Sequence, residues 1–117
     1  MKVAIAGTRS IEDYMEAVKA IEQSNFNITE VISGAAVGVD KLGEKYARVN
    51  NLRIMEIPAN WGIDGPNAGK VRNAKIANSA EAGIIVWDGV SIGTLNLIAE
   101  FNRQNKPCFI RVVNYDA

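Results

Sequence analysis

Three short segments of the sequence are rich in glycine and hydroxyl side chains: GTRS at residues 7–10, SGAAVGVD at 33–40 and DGVSIGT at 88–94. Glycine lets a backbone come close to a ligand, and free N–H groups at the start of a helix can hold an anion. Each segment follows an apolar run and precedes a helical pattern, so together they suggest a site for a phosphate or a nucleotide. For any single segment, the alternative is that its glycines only make a tight turn between a strand and a helix.

None of the three segments is a standard phosphate-binding motif. GTRS lacks the second and third glycines of the dinucleotide-binding loop, and no Gly-Lys-Ser or Gly-Lys-Thr is present. We therefore expect no required cofactor, and we expect a nucleotide or nucleotide-derived molecule as the ligand. The small and hydroxyl residues that we expect to bind it are Gly7, Thr8, Ser10, Ser33, Gly34, Gly38, Gly89, Ser91, Gly93 and Thr94.

Two arginines are candidates to bind the negative charge of such a ligand, because a guanidinium group matches an oxyanion better than an ammonium group does. Arg9 lies in the first glycine segment, and its alternative role is that of a solvated turn residue. Arg72 lies in a helical pattern after a long polar stretch, and its alternative is an ion pair with a surface carboxylate. Asn73, the next residue, is included in the predicted site.

Two acids and one tryptophan complete the predicted site. Asp88 follows a strand and precedes a glycine, so it could accept hydrogen bonds from ribose hydroxyls, serve as an acid or base, or only form an Asp-Gly turn. Asp40 could contact the ligand, cap a helix or brace a loop. Trp61 lies among polar residues, where it could stack on a base or cover the edge of the sheet.

The strands and helices that would position these residues are indicated by two alternating hydrophobic patterns, one typical of strands and one typical of helices. Apolar runs predict strands at 2–7, 30–34, 52–58, 82–89 and 107–113. Helical spacing predicts helices at 10–24, with Ser10 as the N-cap, at 39–49, from the polar stretch 59–69 through about residue 79, and at 92–105. This alternation predicts one α/β domain over residues 1–117, a doubly wound Rossmann-like fold with helices on both faces of a parallel five-stranded sheet in the order 3-2-1-4-5. Ligands bind such sheets at the carboxyl ends of the strands, beside the reversal of strand order between strands 1 and 4.

Composition excludes several classes of function. Thirteen basic and thirteen acidic residues give no net charge, which argues against a nucleic-acid partner because a duplex-DNA binder needs a clustered basic face. The chain has no histidine and one cysteine, so a zinc site and a histidine base are not expected. The apolar runs are too short to span a membrane. The lone Cys108 fits a reducing compartment, so we expect a cytoplasmic protein.

Taken in order, the motifs resemble the SLOG superfamily. GTRS, VISGAAVGVD, IPANW, AGKVRNAKIANSAEAGIIVWDG and SIGT follow one another as in this Rossmann-like group, which holds the LOG phosphoribohydrolases, the DNA-processing protein A domain and small nucleotide-binding proteins. The chain is most similar to the small YspA-like branch. The resemblance implies a nucleotide-type ligand on the glycine loops, with Arg72 matching the family's helix arginine. It also implies a homo-oligomer, which an isolated edge at strand 3 or 5 would suit.

The resemblance also bears on whether the protein is an enzyme. Gly93 and Thr94 match the Gly–Thr of the LOG signature PGGxGTxxE, but Leu97 stands where that signature has its glutamate, and VSI replaces PGG. Nucleoside deoxyribosyltransferases, which look similar in this region, also carry their nucleophilic glutamate there. Our first interpretation is therefore a sensor, carrier or sequestering protein without strong catalysis. The alternative is a hydrolase of N-glycosidic bonds that uses Asp88, and a third is DNA binding.

Overall fold

The computed structural model describes residues 1–114 and is a single α/β domain built around one parallel sheet. The five strands stand in the order β3-β2-β1-β4-β5, as predicted, and every neighbouring pair is parallel. The elements in chain order are β1 (Lys2–Gly7), α1 (Tyr14–Ser24), β2 (Glu30–Ser33), α2 (Val39–Val49), β3 (Arg53–Glu56), α3 (Trp61–Asp64), a 3-10 turn (Gly65–Asn67), α4 (Ala68–Ser79), β4 (Ala82–Trp87), α5 (Ile92–Arg103) and β5 (Cys108–Val112).

Each face of the sheet buries its own apolar cluster, because successive strand residues point to opposite faces. Val3, Ile5, Val31, Ile84 and Val86 pack under α1 and α2. On the other face, β1, β2 and β4 contribute Ala4, Ala6, Ile32 and Ile85, and α4 and α5 supply Ile76, Leu97, Ile98 and Phe101. The helices therefore lie on both sides of the sheet, as the doubly wound prediction requires.

The structure corrects several predicted boundaries. Ser10 is not the N-cap of α1: the helix begins at Tyr14, and the Asp13 side chain accepts a hydrogen bond from the Met15 N–H at 3.0 Å. The cause is Ile11: its side chain is fully buried in the core, so this part of the chain packs against the domain before the helix begins. β1 ends at Gly7 as predicted, whereas the other strands and α5 end one or two residues earlier than their patterns suggested. The polar stretch 59–69 is partly helical, since it contains α3 and the 3-10 turn.

Candidate functional site

A cleft of about 500 Å³ opens at the carboxyl ends of β1 and β4, where the strand order reverses. This volume is in the usual range for a small-molecule site. The predicted residues that line it are Gly7, Thr8, Arg9, Ser10, Asp40, Trp61, Arg72, Asn73, Asp88, Ser91, Gly93 and Thr94. Gly34 instead lines a smaller adjoining cavity of about 160 Å³, which shares Arg9, Trp61 and Arg72 with the cleft. Ser33, Gly38 and Gly89 line neither.

The segment after β1 is fixed against β4 by close backbone contacts. A Cβ atom at Gly7 would lie 1.9 Å from the carbonyl oxygen of Val86, so only glycine fits there. The Thr8 N–H donates to the same oxygen at 3.1 Å, and the buried Thr8 hydroxyl accepts from the Asp88 N–H at 3.1 Å. The first and third glycine segments therefore form one rigid wall of the cleft.

The segment after β2 is braced from within. The fully buried Ser33 hydroxyl donates to the Glu44 carboxylate at 2.6 Å and accepts from the Ala35 N–H at 3.0 Å. Gly38 has φ of +81°, and a Cβ atom there would lie 2.4 Å from the Arg9 carbonyl oxygen. Ser33 and Gly38 thus shape the loop behind the cleft, because their contacts are with the protein itself. The sequence pattern could not separate this role from ligand binding.

Asp40 lies at the inner end of the cleft and is only 6% exposed. Its carboxylate accepts a hydrogen bond from the Ala36 N–H at 3.2 Å, so the predicted role as a loop brace is present in the structure. Burial raises the pKa of Asp40 to about 6, although the Ala36 hydrogen bond and the charge of Arg72 act in the opposite direction. This carboxyl group therefore changes its charge close to neutral pH.

Arg72 joins two walls of the cleft. Its Nη1 donates to the carbonyl oxygen of Gly34 at 2.7 Å, and its Nε donates to the Asn73 side chain at 3.1 Å. The expected alternative, an ion pair with a surface carboxylate, is wrong, since the carboxyl group that acts on Arg72 is the buried Asp40. Burial lowers the pKa of Arg72, Asp40 raises it, and the like charge of Arg9 lowers it further.

Asn73 connects α4 to the first turn of α5. The side chain is 7% exposed, and its Nδ2 donates to the Gly93 carbonyl oxygen at 3.1 Å and to the Asn96 side chain at 3.0 Å. Its Oδ1 accepts from Arg72 Nε, so both polar atoms of the side chain are bonded within the protein. Its contribution to the site is to hold α5 in register with α4.

The segment after β4 makes an Asx turn that starts α5. Asp88 Oδ1 accepts from the N–H groups of Val90 at 2.9 Å and Ser91 at 2.8 Å, and these hydrogen bonds lower the pKa of Asp88. The first backbone hydrogen bond of α5 runs from Leu95 to Ser91. Within residues 1–114 the N–H groups of Ile92, Gly93 and Thr94 consequently have no protein acceptor, and all three residues line the cleft. The Asp-Gly turn alternative for Asp88 is confirmed.

Two cations line the cleft without a protein partner. Arg9 and Lys70 are exposed, and in the described part of the chain neither side chain has a hydrogen bond or an ion pair. Lys70 was not among the residues predicted from the sequence. The signal that could have found it is its place in the first turn of α4, because the helix dipole disfavours a cation there unless something else requires one.

The floor of the cleft is apolar. Leu97 is 3% exposed and packs with Ile76 and Ala6, so the position that carries a glutamate in LOG enzymes belongs here to the core. Trp61, at 55% exposure, lies at the mouth, where an aromatic ring can cover a bound ligand. Ala36 and Ile92, which belong to the predicted glycine segments, also line the cleft, and Pro66, Gly69 and Asn96 line it without having been predicted.

Two further classes of site receive no support from the described residues. Over residues 1–114, no group of three or more histidine, cysteine, aspartate or glutamate side chains is placed to hold a metal ion. In the same range no helix is both long and apolar enough to cross a membrane.

The fold resembles that of a DNA processing protein. No family model and no curated protein matches the chain. Among solved structures, it is similar to DNA processing protein A (DprA) from Streptococcus pneumoniae, with a TM-score of 0.75 and 15% identity over 98% of this chain and 52% of the other. The chain thus spans about half the length of that protein, and at this identity the likeness shows the fold alone. It confirms the predicted Rossmann-like fold, whereas the SLOG superfamily and its YspA-like branch stay predictions. The expectation against a nucleic-acid partner gains no support from this match.

Proposed function

We propose that the cleft binds a nucleotide or a nucleotide-derived signalling molecule, and that the protein acts as a sensor, carrier or sequestering protein without strong catalysis. The observation that carries the proposal is the pair of cations without a partner in residues 1–114, Arg9 and Lys70, which line the same cleft as the free N–H groups at the start of α5. Arg9 also lies close enough to Arg72 to lower its pKa by like-charge repulsion, which a bound anion would relieve. The combination is suited to a phosphate group.

The remainder of the cleft is suited to a sugar and a base. Leu97 and Ile76 offer an apolar floor, and Trp61 offers an exposed ring on which a base could stack. Asp88 uses Oδ1 in the turn, so Oδ2 would accept from a ribose hydroxyl. A ligand with a charged end and an apolar, flat end satisfies both halves of the cleft, and a nucleotide has this form.

The contacts of Asp88 argue against a role as a general acid. A general acid must carry a proton near neutral pH, whereas the turn hydrogen bonds lower the pKa of this carboxyl group. The other candidate position for a carboxylate is Leu97, which is buried in the core. We therefore expect no release of free base from nucleoside monophosphates above background. Robust release that Asp88→Asn abolishes would establish the hydrolase alternative.

DNA binding is a second candidate, because the fold is similar to that of a protein whose name assigns it to DNA processing. The net charge of zero weakens this candidate for duplex DNA, and retention on DNA that falls steeply with salt would support it. The YspA-like assignment, a cytoplasmic location and a homo-oligomeric state belong to the same proposal.

The proposal can be tested with one ligand series. A nucleoside and its mono-, di- and triphosphate and cyclic monophosphate would be titrated by calorimetry and by tryptophan fluorescence. We expect affinity to rise from the nucleoside to the phosphorylated forms, with a fluorescence change that Trp61→Phe removes and Trp87→Phe retains. No binding by any member, with the fold intact by circular dichroism, would contradict the proposal.

A further inference from the structure

A smaller cavity adjoins the cleft, between the loop after β2 and the segment after β3. Gly34, Ala35, Pro58 and Ala59 line this space and not the cleft, and we call it the side cavity. Its volume is about 160 Å³. One water molecule needs about 10–15 Å³ of such space, so the side cavity has room for a group the size of phosphate. The proposed function gives it no occupant.

The lining of the side cavity carries positive charge without negative charge. Arg9, Trp61 and Arg72 stand where the two spaces meet, because they line both of them. Within residues 1–114 no carboxylate lines the side cavity, whereas Asp40 and Asp88 line the cleft. The chain as a whole has no net charge, so two arginines around so small a space are a local concentration of positive charge. The side cavity is therefore suited to an anion.

The guanidinium group of Arg72 is oriented before any ligand binds. Its Nη1 donates to the Gly34 carbonyl oxygen at 2.7 Å, and its Nε donates to the Asn73 side chain at 3.1 Å. Its Nη2 has no partner within residues 1–114, and in that range no buried side-chain nitrogen or oxygen atom lacks one, so Nη2 is open to solvent. A group held on two sides and free on the third loses little conformational entropy when it binds an anion.

Arg9 supplies the second set of donors. Its exposed side chain has no hydrogen bond and no ion pair in the described part of the chain. Burial lowers the pKa of Arg72, and the like charge of Arg9 lowers it further, which shows that the two guanidinium groups lie close enough to interact. Asp40 also acts on Arg72, but it lines the cleft and not the side cavity. Two neighbouring guanidinium groups can bind adjacent phosphoryl groups, since each phosphoryl group accepts several charge-assisted hydrogen bonds.

We propose that the side cavity binds a second phosphoryl group, and that the ligand is a nucleoside diphosphate, free or esterified, rather than a nucleoside monophosphate. The inference rests on the proposed function, which places the first phosphoryl group in the cleft beside Arg9, Lys70 and the free N–H groups of α5. Arg9 and Arg72, at the boundary, then serve both phosphoryl groups. A monophosphate leaves the side cavity to water and binds more weakly.

Inorganic phosphate and inorganic pyrophosphate test the second group without any assumption about the base. Both would be titrated by calorimetry in metal-free buffer, and we expect pyrophosphate to bind about ten- to a hundredfold more tightly. Ala59→Glu places a carboxylate at a position that lines only the side cavity, so it should remove most of this difference, and the uncharged Ala59→Gln should remove less. Val49→Glu, at an exposed position on α2, adds the same charge elsewhere and should keep the wild-type ratio.

The outcomes separate this inference from the proposed function. If a nucleoside monophosphate binds but pyrophosphate binds no more tightly than phosphate, the second group is ruled out and the proposed function stands. A wild-type ratio in Ala59→Glu, with the fold intact by circular dichroism, would also overturn the inference. If no nucleotide binds at all, the proposed function fails and the inference fails with it.

Backbone amide signals show where the second phosphoryl group lies. The probes are the 5′-mono- and 5′-diphosphate of the nucleoside that binds most tightly in the ligand series, added to the ¹⁵N-labelled full chain. The Gly93 signal should shift with both, because Gly93 lines the cleft, whereas those of Ala35 and Ala59 should shift with the diphosphate alone. Equal shifts of Ala35 and Ala59 with both probes would overturn the proposal. So would inorganic phosphate that shifts these two signals as strongly as the diphosphate does, because the occupant would then be a free anion.

Discussion

The guanidinium group of Arg72 donates a 2.7 Å hydrogen bond to the carbonyl oxygen of Gly34, and so ties helix α4 to the loop after β2. The same side chain lines the cleft, beside Arg9. Arg72 therefore has a structural contact that does not depend on a ligand, as well as a charge that a ligand could use. Experiments on this residue must separate these two contributions.

Arg72→Ala is expected to reduce both stability and affinity. Loss of the contact to Gly34 should lower the free energy of unfolding by about 1 kcal/mol, since the group is partly solvated, and the melting temperature by about 3–5 °C. Loss of a charge-assisted contact worth about 1.5–3 kcal/mol should weaken the binding of a phosphorylated ligand roughly ten- to a hundredfold. Arg72→Lys should restore only part of the lost affinity, because an ammonium group lacks the planar set of N–H donors with which a guanidinium group binds a phosphate. Equal losses for nucleotide and nucleoside in calorimetry would contradict a role in binding charge.

Arg9 offers the cleaner test of charge, because its exposed side chain has no partner within residues 1–114. Arg9→Gln should weaken a nucleoside phosphate about tenfold and leave the melting temperature of the free protein unchanged. It should also raise the pKa of Arg72, since a like charge is removed. Arg53→Gln, on the exposed β3, is the control. The charge role fails if both variants bind with the wild-type affinity.

Gly93, which lines the cleft, and Gly38, which shapes the loop behind it, should respond in opposite ways. A Cβ atom at Gly93 meets nothing within 4 Å, so Gly93→Val should fold normally while its side chain occupies the space beside the α5 N–H groups. We expect binding to be lost and stability to be kept. Gly38→Ala should instead cost about 2 kcal/mol or more in stability, because of its positive φ and the Arg9 backbone at 2.4 Å. Chemical denaturation and calorimetry on both variants check this, and unchanged affinity in Gly93→Val would count against the site.

The two cleft carboxylates should give stability profiles of opposite sign. The pKa of Asp40 is raised from 3.8 to about 6 in the folded protein. The protonated carboxyl group therefore contributes fully to stability below pH 4, and this contribution is lost as the pH rises through 6. Asp40→Asn should therefore gain stability over the wild type between pH 4 and pH 7, by on the order of 3 kcal/mol at most. Binding of an anion should also strengthen on acidification through pH 6, and this dependence should vanish in the variant.

Asp88 is the matched control for that experiment. Its pKa is lowered, so its contribution to stability is present at neutral pH and disappears on acidification. Asp88→Asn should be less stable than the wild type at pH 7, and the difference should close as the pH falls below the ordinary range of a carboxyl group. Thermal melts from pH 3 to pH 8 measure both variants. Parallel profiles for the two would contradict the assignments.

The sequence predicted the fold better than the roles of individual loop residues. Periodicity identified every strand, because apolar spacing reports which faces are buried, and the alternation of strands with helices joined by right-handed crossovers predicted the sheet order. It could not show on which side of a loop a side chain lies, so Ser33 was assigned to the ligand although its hydroxyl bonds Glu44. It also misplaced the start of α1, because the burial of Ile11 overrides the capping preference of Ser10. Lys70 was missed because a lysine stands out in the first turn of a helix only once the first residue of α4 is known.

The most direct test of the central claim is native mass spectrometry of the protein isolated from the cells that produce it. We predict an added mass that fragments to a phosphate-containing nucleotide, present on the wild type and absent from Gly93→Val prepared in parallel. Protein of bare mass in both preparations, together with no binding of any nucleotide in the ligand series, would contradict the account.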